Sequence, residues 1–315
     1  MNENTESKRR LTEKLSRELG ADILNALKDD DVVEISLNAD GVLWETRHGV
    51  GRQVIGGMQR IQATNLIGTV ASMLGLEATR DKPRVRGELP LDGSRFQGHL
   101  PPVVEAPTFS IRKRATKLFT LADYVATGIL SEAHKSVLES AIEGRANILV
   151  AGGTGSGKTT FCNALLHHIA EIEPDGRIII IEDTRELQCS ARNRVEFRTS
   201  ETVSMNDLLY DTLRCDPDRI VVGEVRGKEG HDLLKAWNTG HPGGVATIHA
   251  NSALASLGRL ENLMLEAGVP ANPRVIAEAV NVVVSIQKVK GIRSITEIAQ
   301  VKGWKQEMGY WLEAL

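Results

Sequence analysis

The stretch ANILVAGGTGSGKTTFCNALL, residues 146–166, sets a glycine loop between the apolar run Ile148–Val150 and a segment with helical spacing, Phe161, Leu165 and Leu166. Gly152 to Thr159 satisfies G-x-x-x-x-G-K-[ST] in the strand–loop–helix context that this motif needs. Gly152, Gly153, Gly155 and Gly157, spaced by Thr154 and Ser156, let the backbone wrap a polyphosphate with its N–H groups and a positive helix end turned inward. Lys158 can reach the β- and γ-phosphates, Thr159 can supply a hydroxyl to Mg²⁺, and Thr160 adds a further phosphate contact. The expectation is a site for ATP with Mg²⁺.

Hydrolysis needs more than a cradle: a positioned water, a metal, and positive charge where the transition state accumulates negative charge. Three later segments can supply these, each after an expected strand. RIIIIEDTREL delivers Glu182 and Asp183 to a strand end, beside the phosphate loop if the two strands are neighbours, with Glu182 preferred for orienting an attacking or Mg²⁺-bound water. DPDRIVVGEVRG runs Ile220–Val222 into Glu224, a hydrophobic strand ending in a carboxylate; Glu224 can hold the metal, partly through water, or polarise the lytic water. Arg226 follows, able to meet phosphate or an acidic neighbour. In TGHPGGVATIHANS a glycine turn brings His241 up to a strand ending near His249, and a histidine there can report whether the γ-phosphate is present. The plainer alternatives are solvated strand ends and packed histidines.

The remaining composition narrows the class. Net charge is −3 and aromatics are 4%, so neither a global basic field nor many stacking platforms point to nucleic acid. No apolar run approaches a membrane span, and the polar start MNENTESKRRLTEKL lacks a signal-peptide core, so a cytoplasmic protein is expected. Cys162, Cys189 and Cys215 are isolated, which argues against a disulfide framework or a zinc clip.

These residues must be positioned by elements that the spacing makes readable. Residues 5–28 carry leucines at helical spacing; 32–38 and 41–47 read as a hairpin; a helix is expected over 61–78; and 84–91, 94–101 and 107–114 read as strands. Residues 1–115 thus form a small α+β domain, and 116–145 a linker with bridging helices, one capped by Ser131. Residues 146–315 form an ATPase domain in which strands at 147–151, 177–183, 194–199, 219–224 and 244–250 alternate with helices at 158–170, 204–214 and 228–239. The fold class expected is α/β: a RecA-like P-loop core, mostly parallel sheet with helices on both faces, preceded by the smaller domain. The tail reads as a helix, a Val-rich strand and a hairpin whose Trp304, Tyr310 and Trp311 are expected in the core.

Four motifs in order, GGTGSGKTT, IIIIEDTREL, LRCDPDRIVVGEVRG and GGVATIHANSA, resemble the secretion-ATPase superfamily, and most of all its type IV secretion and conjugation branch. The resemblance covers most of residues 80–300 and implies a ring-forming ATPase, a hexamer, peripheral to the inner membrane and docked on membrane components of the apparatus, with no direct nucleic-acid binding required. It also implies an N-terminal domain that closes over nucleotide and lends arginines to the phosphates. Residues 80–117 hold nine Lys/Arg against four acids, and Arg95 and Arg112 are the candidates, a solvated strand face being the alternative. A type IV pilus or type II secretion motor shares these motifs; a RecA-like nucleic-acid motor or an ATP-holding switch would belong to other classes.

Overall fold

The computed structural model describes residues 2–315 apart from 48, 49, 115–117, 201 and 290, and only the backbone of residues 2–5, 7 and 8. The expected boundary at 115 and Lys117 of the basic stretch lie outside the described residues. Contacts between residues divide the chain into two units, 1–116 and 117–315.

The first unit contains α1 (Asn2–Lys28), β1 (Val32–Leu37), β2 (Val42–Arg47), β3 (Gly51–Gly57), α2 (Arg60–Met73), β4 (Arg84–Glu88), β5 (Arg95–His99) and β6 (Thr108–Arg112). The strands form an antiparallel sheet in the order β3-β2-β1-β6-β5-β4. Alternation sends Ile35, Leu37, Val85, Phe96, Phe109 and Ile111 to one face, where they pack with Leu15, Leu19 and Ile23 of α1 and Leu66, Ile67 and Val70 of α2. The helix expected over 61–78 stops at Met73, before the loop that leads into β4. β3 has no counterpart among the expected strands: its glycine-rich sequence lies at a sheet edge, exposed over its first four residues, with only Ile55 packed against the core.

The second unit contains α3 (Leu121–Ala126), α4 (Glu132–Glu143), β7 (Ile148–Ala151), α5 (Lys158–Ile172), β8 (Ile178–Glu182), β9 (Arg194–Arg198), α6 (Met205–Thr212), β10 (Arg219–Val225), α7 (Glu229–Asn238) and β11 (Val245–Ile248). It continues with α8 (Ala253–Glu266), α9 (Pro273–Ala279), β12 (Val282–Val289), β13 (Ile292–Lys305) and β14 (Gly309–Ala314). Its sheet runs β14-β13-β12-β7-β11-β10-β8-β9. The strands from β12 to β9 are parallel, and β13 and β14 add an antiparallel meander. Successive residues of the buried strands serve opposite layers. Ile148, Val150, Ile178, Ile180 and Val221 face α3, α4 and α5, whereas Leu149, Ala151, Ile179, Ile181 and Val222 face α6 to α9. This two-sided burial explains the continuous runs of Ile and Val.

Ser131 caps α4 by accepting the His134 N–H at 3.0 Å. Trp304 and Tyr310 pack against the core, but Trp311 is 49% exposed on the edge strand β14, its ring beneath Lys305 Nζ. All three cysteines are free. Among the described residues no helix is long and apolar enough to cross a membrane.

Candidate active site

The glycine loop follows the C-terminal end of β7, a strand of four buried residues in mid-sheet, and delivers the chain directly into α5. Its four glycines are not equivalent. At Gly152 a Cβ would meet the Ile286 carbonyl oxygen at 2.5 Å and Ser156 Oγ at 2.5 Å, so only glycine fits. Gly157, the residue before α5, has φ +102°, a left-handed conformation that side chains resist. Gly155 shares that hand at φ +71°, yet nothing lies within 4 Å of where its Cβ would stand. Its requirement is therefore the turn of the backbone and not a close approach within the protein; the same open space surrounds Gly153. The first-turn N–H groups of α5 open onto this loop, and a helix start of this kind attracts anions.

Lys158 is buried and folds back on its own loop, donating to the carbonyls of Gly152 at 2.8 Å and Gly153 at 3.1 Å. Its ammonium is thus held where the loop curls. Thr159 Oγ1 donates to Glu186 Oε2 at 3.2 Å. Glu186 is absent from the residues that sequence reasoning selected. Its spacing, four after Glu182 in EDTREL, was the only available signal, and nothing in the spacing reveals that the loop after β8 folds back onto α5. The fold-back is pinned again by Asn163 Oδ1, which accepts the Gln188 N–H at 2.9 Å.

Glu182 is not set beside the loop by strand pairing, because β11 and β10 separate β8 from β7. It is buried at the same edge, with Oε1 accepting N–H groups from Glu186 at 3.1 Å and Leu187 at 2.9 Å. Burial pushes its carboxyl up to about 7, against the pull of the Leu187 and Glu186 N–H groups. A carboxyl in that range exchanges protons near neutral pH. It packs so close to β10 that a Cβ on Gly223 would lie 2.8 Å from Glu182 Cγ.

Glu224 stands near the end of β10, half-buried, and Arg226 forms an ion pair with its Oε2 through Nη2 as well as a 2.8 Å bond from Nε. Arg226 Nη1 also lies 3.4 Å from Asp183 Oδ2, and Asp183 Oδ1 accepts the Thr199 hydroxyl at 2.9 Å. Of the two options for Arg226, the acidic neighbours are the ones it meets. Glu229 Oε1 fixes the turn after β10 by accepting the N–H groups of Arg226 at 2.5 Å and Gly227 at 2.7 Å.

The two histidines separate. β11 is only Val245–Ile248, so His249 emerges, exposed, at the edge that carries the glycine loop, whereas His241 precedes the strand at the opposite edge. The glycine turn therefore does not pair them: Gly243 packs against Arg219, and its N–H, like that of Gly244, binds Asn147 Oδ1. In the first unit, Arg95 and Arg112 are cross-strand partners on β5 and β6, flanked in register by Glu88 and Glu34. Both are on the sheet face turned away from that unit's core, Arg112 exposed and Arg95 half-buried.

A family model described as Type II/IV secretion system protein matches residues 82–306. The chain belongs to that family. This type II/IV secretion system protein is 49% identical over 300 residues to the probable conjugal transfer protein TrbB of Sinorhizobium fredii, covering 95% of this chain and 92% of that one. It is also 49% identical over 296 residues to the conjugal transfer protein TrbB of Rhizobium radiobacter, covering 94% and 92%. Among solved structures, the VirB11 ATPase from the Brucella suis type IV secretion system in complex with sulphate is 26% identical, with a TM-score of 0.50 over 94% of this chain and 96% of that one. The pilus retraction motor PilT with bound ADP shares the fold at 21% identity, with a TM-score of 0.62 over 93% and 81%.

Proposed function

We propose that this chain is a traffic ATPase of a type IV secretion or conjugation apparatus, with a RecA-like core that binds and hydrolyses ATP. The observation that carries this reading is the loop Gly152–Thr160 at a sheet edge shared with Glu182, Glu186, Glu224 and His249. Identity of 49% to conjugal transfer proteins over 92% of their length favours conjugation over a pilus motor.

Loop N–H groups and the start of α5 hold the phosphates, with the left-handed turn at Gly155 leaving the loop open to them, while Lys158 exchanges its two loop carbonyls for β- and γ-oxygens. Thr159 Oγ1 and the adjoining Glu186 carboxylate are oxygen donors of the kind that fits Mg²⁺, a hard cation that keeps much of its water, and Glu224, paired with Arg226 at the same sheet edge, would join them partly through water. Bound there, Mg²⁺ supplies charge neutralisation on the phosphates. Glu224 orients the lytic water, Glu182 lends a carboxyl able to exchange a proton near neutral pH, and His249 donates to the γ-phosphate from the end of β11. The first unit closes over the nucleotide and brings Arg95 and Arg112 to the triphosphate; loss of the γ-phosphate releases it. Repeated around a homo-hexameric ring at the cytoplasmic face of the inner membrane, docked on membrane components of the apparatus, this motion does mechanical work.

Steady-state phosphate release tests the reading. Lys158→Ala should abolish turnover. Glu224→Gln should still bind ATP and hydrolyse it about 10²–10⁴-fold more slowly, the usual range for losing a base. Wild-type turnover in the Lys158 variant, or no phosphate release from the wild-type protein, refutes it.

A further inference from the structure

The hairpin of β12 and β13 flanks the glycine loop on the side of β7 away from β11 and β10. Its Ile286 carbonyl crowds Gly152, and Arg293 lies against Gly157: the position a Cβ would take there is 3.2 Å from Arg293 Cδ and 3.4 Å from Nε. Arg293 Nε is buried and has no hydrogen-bond acceptor among the described residues. The strand register puts Lys288 directly opposite Arg293, and neither makes an ion pair among the described residues. Like charges opposed across a hairpin repel, and a buried guanidinium N–H without an acceptor carries a desolvation cost. One partner relieves both: an anion at the mouth of the loop.

We propose that Arg293 is a nucleotide contact that binds the α-phosphate, with Lys288 adding to the same positive field. The inference rests on the reading of Gly152–Thr160 as the phosphate loop. Glu224 and His249 lie on the β10 and β11 side of β7 and define where the γ-phosphate points, so a cation on the β12 side faces the nucleoside end. ADP and ATP share the α-phosphate. Arg293 therefore contributes equally to both and adds nothing specific to the transition state, so its loss weakens binding and spares turnover. No motif contains this residue; it reaches the loop only because β13 returns antiparallel along β12.

The test is binding of fluorescent MgADP, and of MgATP with KM and kcat for hydrolysis, in the full chain carrying Arg293→Met or Arg293→Lys. Methionine keeps the apolar stem that packs on Gly157 and removes the charge. The expected result for Arg293→Met is a loss of about 10–100-fold in affinity for both nucleotides, the scale of one charge-assisted contact, with KM raised to match and kcat within about twofold. Arg293→Lys should recover part of the loss, and without nucleotide neither variant should melt below wild type, since methionine also removes the repulsion and the unpaired N–H. Wild-type affinity in Arg293→Met, or a melt lowered together with kcat, overturns the contact. Loss confined to ATP with ADP unchanged overturns its assignment to the α-phosphate. A wild-type protein that binds neither nucleotide removes the phosphate-loop reading itself, and this inference with it.

Discussion

Neighbouring glycines of one motif do different jobs. Gly152 touches a backbone carbonyl and a serine hydroxyl at the distance where a Cβ would collide, whereas a Cβ on Gly153 would meet nothing within 4 Å. The Ile286 carbonyl belongs to a paired strand and cannot yield cheaply. Gly152→Ala should therefore destabilise the second unit by about 1–3 kcal/mol, as overpacking usually does. Gly153→Ala should stay within about 0.5 kcal/mol, as for an open surface site. Urea denaturation followed by tryptophan fluorescence checks both. Equal losses would mean that the loop relaxes as a body and that the contact at Gly152 decides nothing. Lys158 adds a second asymmetry: its two bonds to loop carbonyls pre-form the curl that a phosphate later occupies, so the loop need not be built by the ligand.

At the level of elements, the edge remote from the glycine loop is held by Arg219, a fully buried residue at the start of β10. It donates through Nε and Nη2 to both oxygens of Glu173, at 2.9 and 2.7 Å, and to the carbonyls of Gly243 and Ile142 at 2.9 and 3.0 Å. One side chain thus ties the end of α5, the end of α4 and the entry to β11. Arg219→Ala empties a fully buried site and leaves the Gly243 and Ile142 carbonyls without their donor, whereas Glu173, partly exposed, keeps Arg145 at 3.2 Å; the cost should be about 2–4 kcal/mol. The Arg219 hydrogen bonds hold the Glu173 carboxyl below its ordinary 4.5, against a desolvation that raises it. A lowered folded-state pKa means that the unfolded chain takes up the proton first. The stabilisation is complete above about pH 4.5 and drains away as pH falls towards the folded value. The stability gap between wild type and Glu173→Gln should therefore shrink steadily below about pH 4.5 in denaturant titrations, and a gap that grows there would reverse the sign. The strands that such clamps align were readable because their apolar runs are continuous, and α4 because Ser131 caps it. β3 was not, being an edge strand whose first four residues are exposed and which sends only Ile55 against the core. α8 shows helical spacing at Leu257, Leu260 and Met264 yet has no counterpart among the expected helices. At the site, the glycine motif and the acidic strand ends were legible as local strings. Glu186 and Arg293 were not, because they meet the loop through a fold-back and a return strand, contacts that sequence spacing does not encode.

For the molecule as a whole, the decisive fact is that the two units have separate cores, one formed by α1, α2 and the six-stranded sheet, the other by the two layers around the eight-stranded sheet. Only the second carries the glycine loop. A ligand stabilises what it binds by RT ln(1 + [L]/Kd), about 2.7 kcal/mol at a hundredfold excess over Kd. Calorimetry of the full chain should therefore resolve two transitions, and MgADP should raise the one belonging to residues 117–315. If Arg95 and Arg112 reach the triphosphate, a non-hydrolysable MgATP analogue should raise the transition of the first unit too, because the γ-phosphate then binds both cores at once. Replacing both arginines by alanine should return the first transition to its unliganded temperature and leave the second raised. The row Glu34–Arg112–Arg95–Glu88 lies on the sheet face away from the first unit's core, with Arg112 exposed and the other three half-buried, so these substitutions should cost no more than about 1 kcal/mol each without nucleotide. A first transition indifferent to the analogue in the wild-type chain would leave that row a solvated strand face and remove the N-terminal arginines from the mechanism.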